Sequence, residues 1–256
     1  MELTNAIVKK PGKSIVNGIS KSNLGKPDYE KAVIQHNNYI KALEKAGLEV
    51  TVLEAEEDYP DSVFVEDPAI VTSDFAVITN PGADSRKGET EAIESAIKEF
   101  YSVDNIHRIE SPATLDGGDI IQVNNILYAG ISDRTNTAGV EQLSEIAGNY
   151  GYKTFGIEIE DMLHLKSGAS YIGDDTVLIT GMFLGRPEFL KYNQIILGDS
   201  EDYAANSVRV NDYLIIPSGY PMAKKKLEAA GFKLIALDVS EFRKLDGGLS
   251  CLSLRF

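Results

Sequence analysis

Gly47-Leu-Glu-Val-Thr-Val-Leu-Glu54 joins a glycine to a short apolar strand that ends in an acidic residue, and this pattern recurs along the chain. Two further copies are Gly151-Tyr-Lys-Thr-Phe-Gly-Ile-Glu158 and Gly231-Phe-Lys-Leu-Ile-Ala-Leu-Asp238. Each glycine follows a stretch with helical character, at the position where the end of a helix favours a left-handed residue. A weaker copy, residues 106–110, follows a helical stretch that ends near Phe100. The chain is therefore predicted to repeat a helix-then-strand unit.

A second pattern, an apolar strand followed by a loop marked by glycine or proline, comes before the predicted helices. Its copies are residues 6–12, 76–82, 127–130, 177–181 and 213–219. Apolar residues at helical spacing predict helices over about 29–46, 93–100 and 140–150. Two segments depart from this pattern, because residues 187–196 predict only a short helix and residues 224–226 only a brief charged one.

Together the two patterns predict five strand–strand–helix–strand modules in one α/β domain over residues 1–256. The last module has a single strand after Cys251, and the chain given stops at Phe256. Its missing pieces would come from the strand at residues 6–8 and from the first helix. The N- and C-terminal segments are therefore predicted to close the modules into a ring, which removes exposed sheet edges.

The composition excludes several classes of protein. The formal net charge is −14, which disfavours nucleic acid and anionic membranes as partners. No stretch of eighteen apolar residues predicts a membrane span, and residues 1–15 lack the apolar core of a signal peptide. The single cysteine cannot form an internal disulfide. We therefore expect a cytoplasmic protein, and the sequence leaves open whether it forms a homodimer.

Each predicted module carries a polar motif directly before an apolar strand. The motifs are Asp61 with Glu66 and Asp67, Asp116-Gly-Gly-Asp119, His164, Ala204-Ala-Asn206, and Asp246-Gly-Gly-Leu-Ser-Cys251. Equivalent positions in a ring of modules face the same axis. The sequence therefore predicts that carboxylates, one histidine and the only cysteine meet on one face.

These residue types match the needs of a cysteine nucleophile. A thiol is activated by a nearby imidazolium, and a carboxylate orients that imidazole. Cys251, His164 and an aspartate such as Asp116 or Asp119 have the right types for these roles. The clustered acids Asp61, Glu66 and Asp67 would repel one another unless a cation lay among them, and a guanidinium suits such acids. One cysteine and one motif histidine are too few for a closed zinc site, so no metal is expected.

Each of these residues also has a purely structural interpretation. Cys251 would then be an inert core thiol, His164 a hydrogen-bonded structural histidine, and the acids helix caps or turn residues. We interpret Asn206 as a structural residue that satisfies backbone groups near the predicted channel.

The motifs resemble those of the dimethylarginine dimethylaminohydrolase family, within the arginine deiminase-like guanidino-modifying superfamily. They span nearly the whole chain in order: Pro60-Asp-Ser-Val-Phe-Val-Glu-Asp67, Asn80-Pro-Gly-Ala-Asp-Ser-Arg86, Thr114-Leu-Asp-Gly-Gly-Asp119, Asp133-Arg-Thr-Asn136, Leu163-His-Leu-Lys-Ser167, Ala204-Ala-Asn206 and 246–251. The family's fold is a five-module α/β propeller, and the resemblance implies the same pseudo-fivefold fold here.

The resemblance also implies a role for each matching residue. Cys251 resembles the nucleophile that forms a covalent thiouronium, His164 the general acid/base, and Asp116 the partner of that histidine. The residues that resemble substrate-binding positions are Asp67 and Glu66 for the guanidinium, Asp61 for the α-amino group, Arg86 and Arg134 for the α-carboxylate, Leu24 in the lid at residues 18–26, and Leu245 and Asp246 beside the site.

The implied reaction is the hydrolysis of asymmetric dimethylarginine or monomethylarginine to citrulline and dimethylamine or methylamine, without a cofactor. The alternatives are an arginine deiminase that releases ammonia, an amidinotransferase, and a non-catalytic protein that binds arginine analogues. An arginine deiminase relative would carry a helical insertion that this sequence lacks, and a binding protein needs no nucleophile.

Overall fold

Fifteen strands pair into five three-stranded sheets within residues 2–256, the part of the chain that the computed structural model describes. The strands are β1 Asn5–Lys9, β2 Glu49–Leu53, β3 Ala69–Val71, β4 Ala76–Ile78, β5 Ile106–Arg108, β6 Ile120–Val123, β7 Ile126–Ile131, β8 Lys153–Glu158, β9 Ala169–Gly173, β10 Thr176–Ile179, β11 Asn193–Ile196, β12 Val208–Val210, β13 Tyr213–Pro217, β14 Lys233–Leu237 and β15 Leu254–Arg255. The sheet orders are β15-β1-β2, β3-β4-β5, β6-β7-β8, β9-β10-β11 and β12-β13-β14.

Every sheet has the same pairing pattern. Its middle strand is antiparallel to the first strand and parallel to the third, as Tyr128 of β7 shows by pairing with Ile121 of β6 and Phe155 of β8. The antiparallel pairs need only short turns, and Asn124 and Asn211 adopt left-handed conformations there (φ 54° and 48°). A parallel pair needs a longer crossover connection. The predicted strand–strand–helix–strand repeat is confirmed in its strands.

Five helices connect the strands: α1 Tyr29–Lys45, α2 Thr90–Ile97, α3 Thr137–Gly148, α4 Pro221–Ala229 and α5 Ser240–Arg243. The Asp28 carboxylate caps α1 by accepting from Lys31 N, and Asn136 caps α3 by accepting from Gly139 N. The prediction that a left-handed glycine follows these helices is confirmed, because Gly47, Gly151 and Gly231 all have positive φ. Short 3₁₀ turns lie at Lys13–Asn17, Asp84–Glu89, Val103–Asn105, Gly117–Asp119, Leu165–Ser167, Gly181–Phe183, Asp199–Ala205 and Ser250–Leu252. No helix in the described chain has the length and apolarity that crossing a bilayer requires.

The predicted short helix between residues 187 and 196 is wrong. The chain there forms turns, in which Phe189 N donates to Arg186 O and Tyr192 N to Phe189 O. Only seven residues separate the left-handed Gly185 (φ 78°) from strand β11, and so short a helix would depend on packing of an apolar face. Such a face is incomplete here, since Leu190 is 62% exposed. The buried Phe189 side chain fixes this connection onto the core instead.

The two ends of the described chain meet in one sheet. Ile7 of β1 pairs with Leu254 of β15, and the amides of Thr4 and Asn5 both donate to Phe256 O at 2.9 and 2.8 Å. The first strands of neighbouring sheets contact one another: β9 contacts both β6 and β12, and β15 contacts β3. The polar motifs that precede these strands are thereby brought together.

Candidate active site

Cys251 lies in the 3₁₀ turn Ser250–Leu252, directly before β15, with 8% of its surface exposed. Its Sγ accepts a hydrogen bond from Gly248 N at 3.4 Å. Burial raises the pKa of the Cys251 thiol to about 12, and the negative charges of Glu66 and Asp67 add to this effect. The cysteine therefore carries its proton at neutral pH.

His164 immediately precedes the 3₁₀ turn Leu165–Ser167 and is buried in the same pocket. Its Nε2 lies 3.0 Å from Asp116 Oδ2 and 3.9 Å from Asp67 Oδ1. Burial by itself lowers the pKa of His164, but Asp67, Asp116 and Asp119 outweigh it and raise the pKa to about 9. The side chain is therefore an imidazolium at neutral pH, with Nε2–H donating to Asp116.

The structure separates the two aspartates of the Gly-Gly motif. Asp116 contacts the imidazole, and its other oxygen accepts from Gly82 N at 2.9 Å. Despite its burial, the bond and charge of His164 hold the pKa of Asp116 below its usual value. Asp119 does not bond the imidazole but accepts from the backbone Leu165 N at 2.9 Å, and burial raises its pKa. Asp116 thus orients the ring of His164, while Asp119 holds the backbone next to it.

Arg86 is buried against two acids. Its Nε and Nη2 contact the Glu89 carboxylate at 2.7–3.1 Å, and Nη1 pairs with Asp67. Nη2 also donates to Phe64 O at 2.9 Å. Burial raises the pKa of Glu89 to about 7, although Arg86 opposes this shift. Since a guanidinium has five donor hydrogens, these contacts leave one Nη1–H of Arg86 for a further acceptor.

Arg134 and Asp61 border the same pocket. Arg134 Nη1 lies 3.6 Å from Asp116 Oδ2, close enough for an ion pair but too far for a good hydrogen bond. Both oxygens of Asp61 accept from Ile19 N, at 3.0 and 3.1 Å. Burial raises the pKa of Asp61, against the opposing effects of Arg86 and the Ile19 amide. These residues place one cationic and one anionic group at the outer side of the pocket.

The pocket brings together most of the residues that the sequence predicts. Its lining is Ile19, Asp61, Phe64, Asp67, Arg86, Arg134, Leu163, His164, Leu245, Asp246, Gly247 and Cys251. Its volume is only about 30 Å³, room for no more than a few water molecules. A ligand the size of an amino acid therefore enters only if the lining moves.

Two predicted substrate-binding residues lie elsewhere. Leu24 is 50% exposed and lines a separate outer cavity of about 920 Å³, which shares Leu163 and Asp246 with the pocket. The Glu66 carboxylate faces the opposite side of Cys251, where it contacts Lys166 and Ser250 Oγ, both at 2.7 Å.

Sequence reasoning missed Ile19 as a pocket residue. Its backbone, not its side chain, makes the contact with Asp61, so the residue type carries no signal. The neighbouring glycine was the available sign, because a Cβ at Gly18 would lie 2.8 Å from Asp61 Oδ1 and 2.9 Å from Leu245.

The potential ligand atoms of Asp67, Asp116 and His164 lie within 4.8 Å of one another, the one such group among the described residues. The protein's own cations already serve these acids, since Arg86 pairs with Asp67 and the imidazolium pairs with Asp116. A divalent cation would have to compete with both. The geometry therefore favours acid/base chemistry over a metal centre.

Comparisons with known proteins agree on one family. The family described as N,N dimethylarginine dimethylhydrolase, eukaryotic, matches residues 14–185. The chain is 46% identical over 250 residues to the N(G),N(G)-dimethylarginine dimethylaminohydrolase of Pseudomonas aeruginosa, which covers 98% of both chains. It is 31% identical over 266 residues to the enzyme of the same name from Streptomyces coelicolor, covering 100% of this chain and 98% of the relative.

A solved structure shares the fold throughout. The Pseudomonas aeruginosa protein, as a cysteine-to-serine variant in complex with citrulline, has a TM-score of 0.98 at 44% identity and covers 100% of both chains. A histidine-to-glycine variant of a dimethylarginine dimethylaminohydrolase, seen as an adduct with S-methyl-L-thiocitrulline, has a TM-score of 0.97.

Proposed function

The chain belongs to the dimethylarginine dimethylaminohydrolase family, and from that premise we propose that it hydrolyses asymmetric dimethylarginine or monomethylarginine to citrulline and dimethylamine or methylamine. The observation that carries this proposal is that a protonated thiol, an imidazolium and a carboxylate meet in one buried pocket. Cys251, His164 and Asp67 supply these groups. An inert core cysteine would need neither the imidazolium nor the charged surroundings.

Substrate binding exchanges partners at Asp67. In this structure Asp67 pairs with Arg86, and its other oxygen accepts from Gly118 N at 3.0 Å. The substrate guanidinium takes the place of Arg86 on Asp67, and Arg86 turns with Arg134 toward the substrate α-carboxylate. Asp61 takes the α-ammonium, and Leu245 and Asp246 flank the chain of the ligand. Each charge keeps a partner, so the exchange leaves no buried charge alone.

The bound cation also activates the nucleophile. A positive guanidinium near Cys251 counteracts Glu66 and Asp67, lowers the pKa of the thiol and releases its proton to solvent. The thiolate attacks the guanidinium carbon, and the His164 imidazolium donates a proton to the departing amine as the C–N bond breaks. The neutral imidazole then deprotonates a water, which attacks the thiouronium and expels the thiolate. Hydrolysis leaves the ureido group of citrulline.

The test is analysis of products. Purified protein is incubated separately with asymmetric dimethylarginine and with arginine, and citrulline, dimethylamine and ammonia are quantified, with Cys251→Ser as control. We expect dimethylamine and citrulline in equal amounts from the methylated substrate, and neither from the variant. Ammonia from arginine alone would instead establish a deiminase, and no turnover of either substrate would overturn the hydrolase proposal.

We also propose that the five sheets form a closed, single-domain α/β propeller over residues 1–256. In support, a cavity of about 650 Å³ is lined by residues from the first strand of all five sheets. These residues are Ile70, Ile121, Tyr171, Arg209 and Leu254. The cytoplasmic location, the independence from cofactors and the homodimer stay predictions.

A further inference from the structure

The thiolate of Cys251 needs a hydrogen-bond donor, because its surroundings are buried and acidic. Glu66 and Asp67 both act against a negative sulfur. The backbone amide of Gly248 donates to Sγ at 3.4 Å, and the neighbouring Ser250 side chain also favours the thiolate, to a smaller extent. A donor held in place before the reaction stabilises developing charge without reorganisation. The direction of this one N–H therefore matters for the reaction proposed above.

The backbone of the turn that carries Gly248 is tightly constrained. Asp246 adopts a left-handed conformation (φ 58°), and Gly247 N donates to Phe242 O at 3.1 Å. A Cβ on Gly247 would lie 2.2 Å from the Phe64 ring, and one on Gly248 would lie 2.4 Å from Asn206. The backbone of the turn is therefore packed directly against two side chains, Phe64 and Asn206.

The amide of Asn206 ties this turn to the loop that carries His164. Its Oδ1 accepts from Ser250 N at 2.9 Å, and its Nδ2 donates to Ser250 Oγ at 3.0 Å. Nδ2 also donates to Lys166 O at 3.0 Å, two residues after His164. The Asn206 side chain is buried, and both ends of its amide are used. One side chain thus links the nucleophile loop and the histidine loop.

Tyr203 holds the turn from its other side. Its hydroxyl donates to Gly247 O at 2.7 Å, and the Arg243 guanidinium lies 4.9 Å from the ring centroid. Gly247 O belongs to the same peptide unit as Gly248 N. A hydrogen bond on the oxygen of a peptide therefore fixes where its N–H points.

We propose that Asn206 is a positioning residue that, together with Tyr203, aims the Gly248 N–H at the Cys251 sulfur and fixes the Cys251 loop relative to the His164 loop. Asn206 acts through the backbone and touches no substrate. Asparagine suits this role because its amide donates two hydrogen bonds and accepts one from Ser250 N. The proposal rests on the nucleophilic role of Cys251 in the proposed function.

The test compares Asn206→Ala with Asn211→Ala. Asn211 makes a matched set of backbone bonds, from Leu3 N at 2.8 Å and to Leu3 O and Ala46 O at 3.0 Å, in segments without pocket residues. Both variants lose the same number of amide contacts with backbone or hydroxyl groups. Alanine at Asn211 also meets a left-handed backbone (φ 48°), so this control is at least as destabilising as Asn206→Ala. The readout is the rate at which iodoacetamide alkylates Cys251 between pH 7 and 10, which needs no substrate.

We expect Asn206→Ala to slow alkylation at pH 8 by about tenfold, the factor that a lost hydrogen bond to a charged group implies, and to shift the profile to higher pH. Its kcat should fall while KM changes by less than about twofold. Asn211→Ala should match the wild type in both measurements. Equal slowing in both variants, or no slowing in Asn206→Ala, would overturn the proposal.

Tyr203→Phe keeps the test decisive if Asn206→Ala fails to fold. It removes only the hydroxyl that bonds Gly247 O. Slower alkylation with an upward pH shift supports the proposal, and an unchanged profile refutes it. Because alkylation is independent of turnover, a wild-type protein that leaves methylarginines intact would sink the proposed function without deciding this inference.

Discussion

The two reacting groups, Cys251 and His164, both carry their protons at neutral pH. The pKa of the thiol is about 12 and that of the imidazole about 9. At neutral pH the pair is therefore a thiol and an imidazolium, not a thiolate and a neutral imidazole. Burial is the main cause of the raised pKa of the thiol, and the surrounding acids add to it because they oppose a negative sulfur. At His164 the acids outweigh burial because they favour a positive ring. The acids that suit a cationic substrate thus also favour the protonated, unreactive form of the Cys251 thiol. A bound cation counteracts them.

Asp67→Asn should therefore speed the alkylation of Cys251 and stop the turnover of methylarginines. Removing this charge lowers the pKa of the Cys251 thiol, and Arg86, left without Asp67, lowers it further. We expect faster alkylation of Cys251 at pH 8, by about tenfold for each unit of pKa, and loss of methylarginine turnover. Slower alkylation in this variant, measured by mass spectrometry over time, would contradict this electrostatic account.

Asp116→Asn should lower the pKa of His164. The wild-type ring is stabilised as the imidazolium, so that form and its contribution to stability are present in full below about 6.5 and are lost as the pH rises through about 9. Without the Asp116 carboxylate the loss should begin at lower pH. NMR titration of the His164 ring measures this directly, and kcat should fall by at least about a hundredfold.

Asp119→Asn is the matched comparison for Asp116→Asn. It lies behind the ring and bonds Leu165 N rather than the imidazole, so its effect on the His164 pKa should be smaller. A larger effect from Asp119 than from Asp116 would reverse the assignment of the two aspartates.

At the residue scale the sequence predicted the chemical roles of the site residues better than it predicted which way their side chains face. The types at Cys251 and His164 indicated a nucleophile and its partner, and the pocket contains both. The sequence could not show that Glu66 faces Lys166 instead of the pocket, because neighbouring residues in a turn diverge by backbone geometry alone. By residue type alone Asp116 and Asp119 were equal candidates for the partner of His164, and only the family resemblance favoured Asp116. The distances from His164 separate the two aspartates.

At the scale of elements, glycines connect helix packing to the site. Gly139 in α3 packs against the loop that leads to Asp116, where a Cβ would lie 2.1 Å from Thr114 O. Gly148 ends the same helix with open space around its Cα. The two positions share a helix but differ in what a methyl group would meet.

Gly139→Ala and Gly148→Ala should therefore have opposite effects. At Gly148 the change should stabilise the protein slightly, by up to roughly 0.5–1 kcal/mol, because alanine favours helices over glycine. At Gly139 it should destabilise the fold and reduce activity, since Thr114 and the Asp116 segment must shift. Thermal unfolding and kcat/KM measure both effects, and similar values for the two variants would refute the packing argument.

The sequence predicted the elements well wherever a glycine marked the end of a helix. Gly47, Gly151 and Gly231 each precede a strand of the predicted kind. It failed at residues 187–196, where a short helix was predicted but the chain forms turns. The 3₁₀ turn Ser250–Leu252, which carries Cys251 and precedes β15, was not predicted, because a three-residue turn has no periodicity to detect.

At the scale of the whole molecule, one paired strand joins the two ends of the chain next to the nucleophile. Leu254, three residues after Cys251, is buried between Ile7 and the second sheet. The repeat in the sequence predicted this meeting, because the last module lacked its own partner strands. It could not predict the small volume of the pocket, which depends on how the loop of Ile19 packs over Asp61.

Leu254→Ala should therefore weaken the entire fold. A buried leucine truncated to alanine costs about 2–5 kcal/mol, and the loss should appear as one cooperative transition at lower temperature. Leu190→Ala is the control, since Leu190 is 62% exposed and its truncation should change stability by less than about 0.5 kcal/mol. Two separate calorimetric transitions would contradict a single closed domain.

The central claim is that Cys251 attacks the guanidinium carbon of a methylated arginine. Its most direct test is rapid acid quenching during turnover of asymmetric dimethylarginine, followed by mass spectrometry of the peptide that contains Cys251. The account predicts a covalent adduct on Cys251 with the mass of the substrate less dimethylamine, and no adduct or product from Cys251→Ser. Dimethylamine released by Cys251→Ser at the wild-type rate would contradict it.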